Sequence, residues 1–386
     1  MVNDSVSISF FHHFEKKPSF IIQSPGRINL IGEHTDYNNG FVLPAAINLG
    51  ISLAIAPNQS STCNIFSTDY SETFSFSLQS MEPSKEQPWA NYIMGVVNEF
   101  QKAGKKLSGF DCAFGGDIPI GSGLSSSAAL ECGIGFALDQ LYSLDLEQWD
   151  LIKMAQKAEH NFAGVQCGIM DQFAVVQGKK DHFIRLDCKS LEFEYFPFKN
   201  SQFSIVLCNS MVKHALVDSE YNKRREECES GVKVLQGHWP SIMSLRDASL
   251  AQLEKIKPEV DPIVYNRCRY ILEENERVLQ SGNDLHHHDL PSVGKKLYQS
   301  HEGLSKLYEV SCEELDFLVE TTRDIPEVLG SRMMGGGFGG CTINLVENSF
   351  LDKFESIIRS AYKNQFGLDL EIYRVAIENG VEKVNN

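Results

Sequence analysis

Pro119-Ile120-Gly121-Ser122-Gly123-Leu124-Ser125-Ser126-Ser127-Ala128-Ala129 decides how the rest of the chain is read. Before it, Phe110, Cys112 and Phe114 alternate with Asp111 and Ala113, the period of a strand. After it, Leu124, Ala128, Cys132, Phe136 and Leu141 recur near helical spacing, so a helix begins close to Ser125. A glycine- and serine-rich turn between strand and helix suits an anion. Glycines let backbone come close, and the helix start offers unpaired N–H groups and the positive end of the dipole. The hydroxyls of Ser125 to Ser127 can cap the helix or hold phosphate or metal. An ordinary serine-capped helix start would use the same residues. The loop is not a Walker A motif, since GxxxxGK[ST] and any lysine are missing from it.

Upstream, Ile21-Ile22, Ile28 to Ile31, Phe41 to Ile47 and Ile51 to Ala56 read as strands, punctuated by Pro25-Gly26 and Asn38-Asn39-Gly40. Between the punctuation marks lies Gly26-Arg27-Ile28-Asn29-Leu30-Ile31-Gly32-Glu33-His34-Thr35-Asp36-Tyr37, a strand delivering dense polar side chains into a turn. Carboxylates and imidazole match polyhydroxylated ligands, because each sugar hydroxyl both donates and accepts. An exposed hairpin tip has the same composition. A metal held by Glu33, His34 and Asp36 is a weaker alternative, as no HExxH pattern accompanies them.

Downstream, helices are expected at about 147–162, from 219, at 262–281 and at 312–322. Strands are expected at Phe173–Val176, His182–Asp187, Phe193–Phe198 and Cys341–Val346. Asp171, in the apolar stretch Gly168-Ile169-Met170-Asp171-Gln172, is a candidate base, and Glu159 on the preceding helix a candidate Mg²⁺ ligand. Alone, Asp171 would also serve as a helix N-cap. Gly335 to Gly340 formally fits GxGxxG, but the residues after it are strand-forming, which excludes a dinucleotide fold. Close approach of backbone to a ligand is the remaining reason for so many glycines. Neither HRD nor DFG of protein kinases is present.

A length of 386 residues implies two domains with a cleft between them, divided near residue 195 into 1–195 and 196–386. Net charge is −16, which argues against nucleic acid and anionic membranes as partners. The basic run Lys223-Arg224-Arg225 alternates with acids and reads as a solvated helix face. Ten scattered cysteines without CxxC spacing suggest neither zinc nor disulfides, and with no transmembrane-length apolar run they point to the reduced cytoplasm.

Taken together, GRINLIGEHTDYNNGFVLP, PIGSGLSSSAALE, AEHNFAGVQCGIMDQ, SEYNKRREEC and GSRMMGGGFGGC resemble the galactokinase branch of the GHMP small-molecule kinase superfamily over nearly the whole chain. The resemblance implies an α+β fold of two GHMP kinase domains, mixed β-sheets packed with helices, and an active site in the cleft. It implies transfer of phosphate from ATP, with Mg²⁺, to the anomeric hydroxyl of galactose, by a cytoplasmic enzyme taken to be a monomer. A sister sugar 1-kinase or a non-catalytic galactose and ATP sensor are the alternatives. By the same resemblance Asp171 is the catalytic aspartate and Arg27 the arginine that stabilises transferred charge. Glu33, His34, Thr35, Asp36, Gly168 and Tyr221 would surround the sugar. Gly121, Ser122, Gly123, Leu124, Ser125, Ser126 and Ser127 would hold the ATP phosphates, Trp89 and Tyr92 the adenine side, and Ser127 with Glu159 the Mg²⁺. Met334 departs from the threonine common at its place in the family.

Overall fold

A computed structural model describes residues 2–119, 121–199, 202–213 and 217–384, so Ile120 of the glycine-serine stretch lies outside the described residues. In chain order the first half contains α1 (Val2–Phe14), β1 (Phe20–Asn29), β2 (Phe41–Val42), β3 (Pro44–Pro57), β4 (Thr62–Ser67), β5 (Glu72–Ser77), α2 (Ala90–Lys102), β6 (Phe110–Gly116), α3 (Ser126–Tyr142), α4 (Gln148–Ala158), α5 (Met170–Gln177), β7 (His182–Asp187) and β8 (Phe193–Pro197). The second half contains β9 (Phe203–Lys213), α6 (Val217–His238), α7 (Leu250–Ile256), α8 (Pro262–His286), α9 (Leu290–Lys306), α10 (Glu313–Thr322), β10 (Val328–Met333), β11 (Gly339–Glu347), α11 (Leu351–Phe366), β12 (Glu371–Val375) and β13 (Glu382–Lys383).

Among the described residues the strands form three sheets, with orders β13-β1-β3-β6-β4-β5, β10-β11-β9-β12 and β2-β7-β8. The first is mixed, since β4 runs parallel to β6 while its other pairs are antiparallel. Helices pack on the sheets in the α+β arrangement expected. One apolar core joins the six-stranded sheet to α2, α3, α4 and α5 through residues such as Leu53, Ile93, Cys132 and Phe173. A second core joins Ile28, Leu30 and Leu43 of the first half to Leu207, Val293, Ile343 and Leu345 of the second. Full burial of each such side chain is worth about 1.5–3 kcal/mol. This second core holds the polar hairpin after β1 against the glycine-rich loop before β11.

Two expectations change. Phe173–Val176 belongs to helix α5, in which Met170, Gln172 and Gln177 are buried as well. With no solvated face the run has no readable period, and a short apolar run is ambiguous between strand and helix. Pro25-Gly26 does not end a strand either. It lies where the pairing of β1 with β3 shifts register: between Pro25, paired with Gly50, and Arg27, paired with Ala46, Gly26 faces three residues of β3, so the extra residues are on β3. An irregularity of this kind bends the pair of strands locally, and Arg27 stands beside it.

Candidate active site

Arg27, beside this register shift in β1, meets Asp171 at the start of α5. Its Nε donates to Oδ1 at 2.7 Å and its Nη2 to Oδ2 at 2.8 Å, a two-pronged pair whose arginine side chain is only 6 % exposed. A third guanidinium nitrogen donates to the Gly123 carbonyl, and the Arg27 N–H donates to the Leu124 carbonyl at 3.1 Å. Gly26 permits this approach, since a Cβ there would stand 2.9 Å from the Leu124 oxygen. Burial opposes the Arg27 charge, but Asp171 with Glu33 and Asp36 together outweigh it and hold the group above its ordinary range. Ser125 donates its hydroxyl to Asp171 Oδ2. Asp171 is the second residue of α5, and Ile169 holds the cap position, so it is not an N-cap.

Ser125 adopts left-handed backbone angles, φ 59° and ψ 54°, immediately before α3, and no side chain caps that helix. The first N–H groups of a 17-residue helix are thereby left for an anion. They open on a cavity of about 470 Å³ lined by Gly121 to Ser127, Arg27, Tyr70, Tyr92, Met334 and the glycines from Gly335 to Gly340. Met334 is almost fully buried, in the core cluster that contains Leu124, and its N–H donates to Cys341. Its side chain supports the loop through packing, where a threonine would fill less space.

Arg27, Gly335 and Gly336 also line a second cavity, of about 250 Å³, together with Glu33, His34, Asp36, Glu159, Cys167, Gly168, Asp171, Tyr221 and Asn222. Both cavities therefore meet at Arg27 and the glycine-rich loop. Asp36 reaches so close to Gly168 that a Cβ there would overlap its carboxylate, which is why residue 168 carries no side chain. Burial, with the nearby Asp171 charge, pushes the Asp36 carboxyl up to about 7. Burial and the Arg224 charge push His34 down to about 3, so its imidazole is neutral. Glu33 is the ligand-side carboxylate most committed elsewhere. Its Oε1 accepts from the Gly335 N–H at 2.8 Å and from Arg332 Nη2 at 3.0 Å, and its Oε2 accepts from Asn29 Nδ2 at 2.9 Å.

Three expected positions are placed differently. Thr35 is fully buried, and its hydroxyl donates to the Gly32 and Phe41 carbonyls, closing the hairpin instead of facing either cavity. Trp89 is 8 % exposed, donates Nε1 to Glu72 at 3.0 Å and lies behind Tyr70, with ring planes 10° apart. Tyr70 and Tyr92 form the cavity wall in its place. Arg224 is not solvated. It is buried and donates to the Tyr308 and Glu309 carbonyls at 2.8 Å each, because its turn of α6 faces the 308–310 segment. Sequence reading missed Tyr70, Cys167, Asn222 and Arg332; the fully buried Arg332 lies in β10, where four successive residues are buried and no period marks it.

Comparison with known proteins decides the family. Models of the GHMP kinases N terminal domain and GHMP kinases C terminal region match residues 91–179 and 283–364, and the galactokinase galactose-binding signature matches residues 8–57. A galactokinase of Clostridium acetobutylicum is 40 % identical over 100 % of this chain and 99 % of its own. The chain belongs to the galactokinase family. A further galactokinase, from Thermotoga maritima, is 42 % identical over 94 % of this chain and 99 % of its own. The crystal structure of Lactococcus lactis galactokinase complexed with galactose superposes with a TM-score of 0.96 at 34 % identity, covering 100 % of both chains. Methanococcus jannaschii mevalonate kinase shares the fold alone, with a TM-score of 0.67 at 18 % identity over 93 % of this chain and 98 % of its own.

Ser127 and Glu159 are the residues expected to hold a divalent cation, and their partners bear on that fit. The Ser127 hydroxyl lies near enough to the Glu159 carboxylate to favour its charged form, and that carboxylate accepts from Gln172 at 2.7 Å and from Cys167 at 3.3 Å. Among the described residues no lysine or arginine pairs with it, and Glu131 Oε1 nearby has no hydrogen-bond partner. Burial, then repulsion from Asp171, pushes Glu159 up. An uncompensated carboxylate beside a hydroxyl fits Mg²⁺. No group of three protein ligands occurs among the described residues, which agrees with an ion that takes one or two carboxylates and completes its shell with phosphate and water.

Proposed function

We propose that this protein transfers the γ-phosphoryl group of ATP to the anomeric hydroxyl of galactose, releasing galactose 1-phosphate and ADP. The observation that carries the reading is the Arg27–Asp171 pair, which stands at the junction of the two cavities. The smaller cavity, with Asp36, His34, Gly168 and Tyr221, takes the sugar. The larger takes ATP, with phosphates on the loop and helix start at 121–127 and the nucleoside toward Tyr70 and Tyr92.

A carboxylate offers about four acceptor positions, and Arg27 and Ser125 occupy three of those on Asp171. The fourth orients the sugar hydroxyl and receives its proton as the oxygen bonds phosphorus and ADP leaves. Arg27, locked in place before substrate arrives, faces the charge that builds on the transferred group. Phosphoryl transfer requires mainly alignment and electrostatic stabilisation, so rigid placement of these groups is the principal contribution of the protein. Ser127 and Glu159 would hold Mg²⁺, which when bound offsets phosphate charge.

A division into domains near residue 195 is supported by β9, which opens the second sheet at Phe203, while β13 returns to the first sheet beside β1. We place the protein in the cytoplasm as a monomer. Ten unpaired cysteines suit a reducing compartment, and among the described residues no helix is long and apolar enough to cross a membrane.

The test couples ADP release to a panel of galactose, N-acetylgalactosamine, galacturonate and arabinose, with the phosphorylated carbon identified in the product. Phosphorylation of galactose at carbon 1 is the expected outcome. Turnover restricted to one of the other sugars, or no turnover at all, would replace the assignment by a sister kinase or a sensor.

A further inference from the structure

His34 is held in an unusual way for a pocket residue. Its backbone is left-handed, φ 63°, a conformation uncommon for a residue with a side chain and often found where a group must be aimed. The ring is 4 % exposed and lies on the wall of the smaller cavity. Its Nδ1 pairs with the Tyr37 hydroxyl at 2.7 Å, which pairs with the Tyr308 hydroxyl at 2.8 Å, which pairs with Cys228 Sγ at 3.3 Å. Tyr308 and Cys228 are fully buried, and Tyr308 does not line the cavity. Among the described residues Nε2, across the ring, makes no bond of good geometry, although the Gly336 backbone lies close enough to act on the ring's charge.

A neutral imidazole carries one proton, on Nδ1 or on Nε2, and the bond made by one nitrogen decides the role of the other. Every hydroxyl in the chain can donate in either direction, so the far end governs the near end. If Cys228 and Tyr308 donate toward Tyr37, then Tyr37 donates to Nδ1 and Nε2 carries the proton. Arg224 supports this end by fixing the Tyr308 carbonyl at 2.8 Å, and the rings of His34 and Tyr308 pack with centroids 4.9 Å apart.

We propose that Tyr308 is a positioning residue for sugar recognition, whose hydroxyl acts through Tyr37 to fix the tautomer and orientation of His34 in the sugar pocket. The proposal rests on the smaller cavity being the galactose site. It makes a residue far along the chain from the hairpin a determinant of galactose affinity without contact with the sugar.

The experiment compares wild type with Tyr308→Phe, which removes one oxygen and leaves the ring packing. Loss of one neutral hydrogen bond in the chain should raise the KM for galactose about three- to tenfold, with kcat and the KM for ATP within twofold. Such a pattern marks lost binding shared by ground and transition state. In parallel, ¹⁵N spectra of imidazole-labelled protein without substrate should show the His34 Nδ1 and Nε2 signals moving toward a mixture of tautomers. If Tyr308→Phe proves insoluble, Tyr37→Phe breaks the same chain one link nearer and must give both signatures. The double variant should be no worse than Tyr37→Phe alone. An unchanged galactose KM with unchanged His34 signals, or strictly additive losses in the double variant, would overturn the proposal. Failure of the wild type to phosphorylate galactose would instead count against the function assigned above, and the spectra, which need no turnover, would still decide the tautomer.

Discussion

Replacing Asp171 with asparagine keeps the shape of the side chain and removes its charge and its basicity. The amide retains one acceptor oxygen, whereas the nitrogen cannot accept from Arg27 or Ser125, so at least one arm of the two-pronged bond is lost. Two consequences follow, and their sizes differ. For chemistry, loss of a general base lowers kcat by about 10²–10⁴. For stability, removing one partner of a fully buried pair costs about 3–5 kcal/mol, and the 25 % exposure of Asp171 reduces this to about 1–3 kcal/mol through solvent screening. Arg27 also keeps attraction from Glu33 and Asp36. A chain of 386 residues has an unfolding entropy of about 0.8 kcal/mol/K, so the melting point should fall by only a few degrees. The variant therefore stays folded at assay temperature, and its kcat reports chemistry. ADP release at saturating galactose and ATP, with galactose binding measured by calorimetry, separates the two. A kcat within tenfold of wild type would refute the assignment of the base. Complete loss of galactose binding would do the same, by making Asp171 a binding residue first.

Asp36 titrates near pH 7 in the folded protein, and its ionised form is the stronger acceptor for a sugar hydroxyl. Galactose should bind more tightly as pH rises through about 7, and Asp36→Asn should flatten that profile in calorimetric titrations from acidic to alkaline buffer. For folding the sign is opposite. A carboxyl whose folded value lies above its unfolded one favours the folded state at low pH, and this contribution declines as pH rises from the unfolded value of about 3.9 toward about 7, which chemical denaturation of wild type and Asp36→Asn should resolve. Arg332→Met leaves the buried Glu33 carboxylate without its cation, a cost of about 3–5 kcal/mol, visible as reduced stability in calorimetry. Because Glu33 also fixes the Gly335 N–H, ATP affinity should fall with it, and an unchanged KM for ATP would remove Gly335 from nucleotide binding. Tyr70→Ala should raise the KM for ATP several-fold through lost stacking area, whereas Trp89→Phe should change it less than twofold; the reverse order in steady-state kinetics would restore Trp89 to the nucleotide wall.

Local order carried most of what could be read in advance. Alternation in Phe110 to Phe114, glycine and serine at 121–127 and the helical spacing after Leu124 depend on neighbours within a few residues, and β6, the loop and α3 lie where that spacing put them. The dense polar run from Arg27 to Asp36 likewise lines a cavity through Arg27, Glu33, His34 and Asp36. Phe173–Val176 was misread for the complementary reason. Buried on all sides, it presented no solvated face from which a period could be taken.

Which member of a polar cluster faces a ligand was a different matter. Thr35 and Asp36 are adjacent and chemically alike as hydrogen-bonding residues, yet one closes the hairpin and the other meets Gly168 across the cavity. Trp89 and Tyr70 compete for one wall, and packing against Glu72 and Phe114 drew Trp89 inward. Arg224 and Arg332 carry charges that composition assigns to solvent, but carbonyls and carboxylates from distant segments paired them in the interior. Sequence alone settles the type of most elements, the position of the glycine-serine loop before α3 and the family, since these follow from short-range spacing and residue chemistry. Orientation of Arg27 onto Asp171, 144 positions apart in sequence, and of His34 through Tyr308 depends on long-range packing, because burial fixes a side chain only against the partners that the fold brings to it.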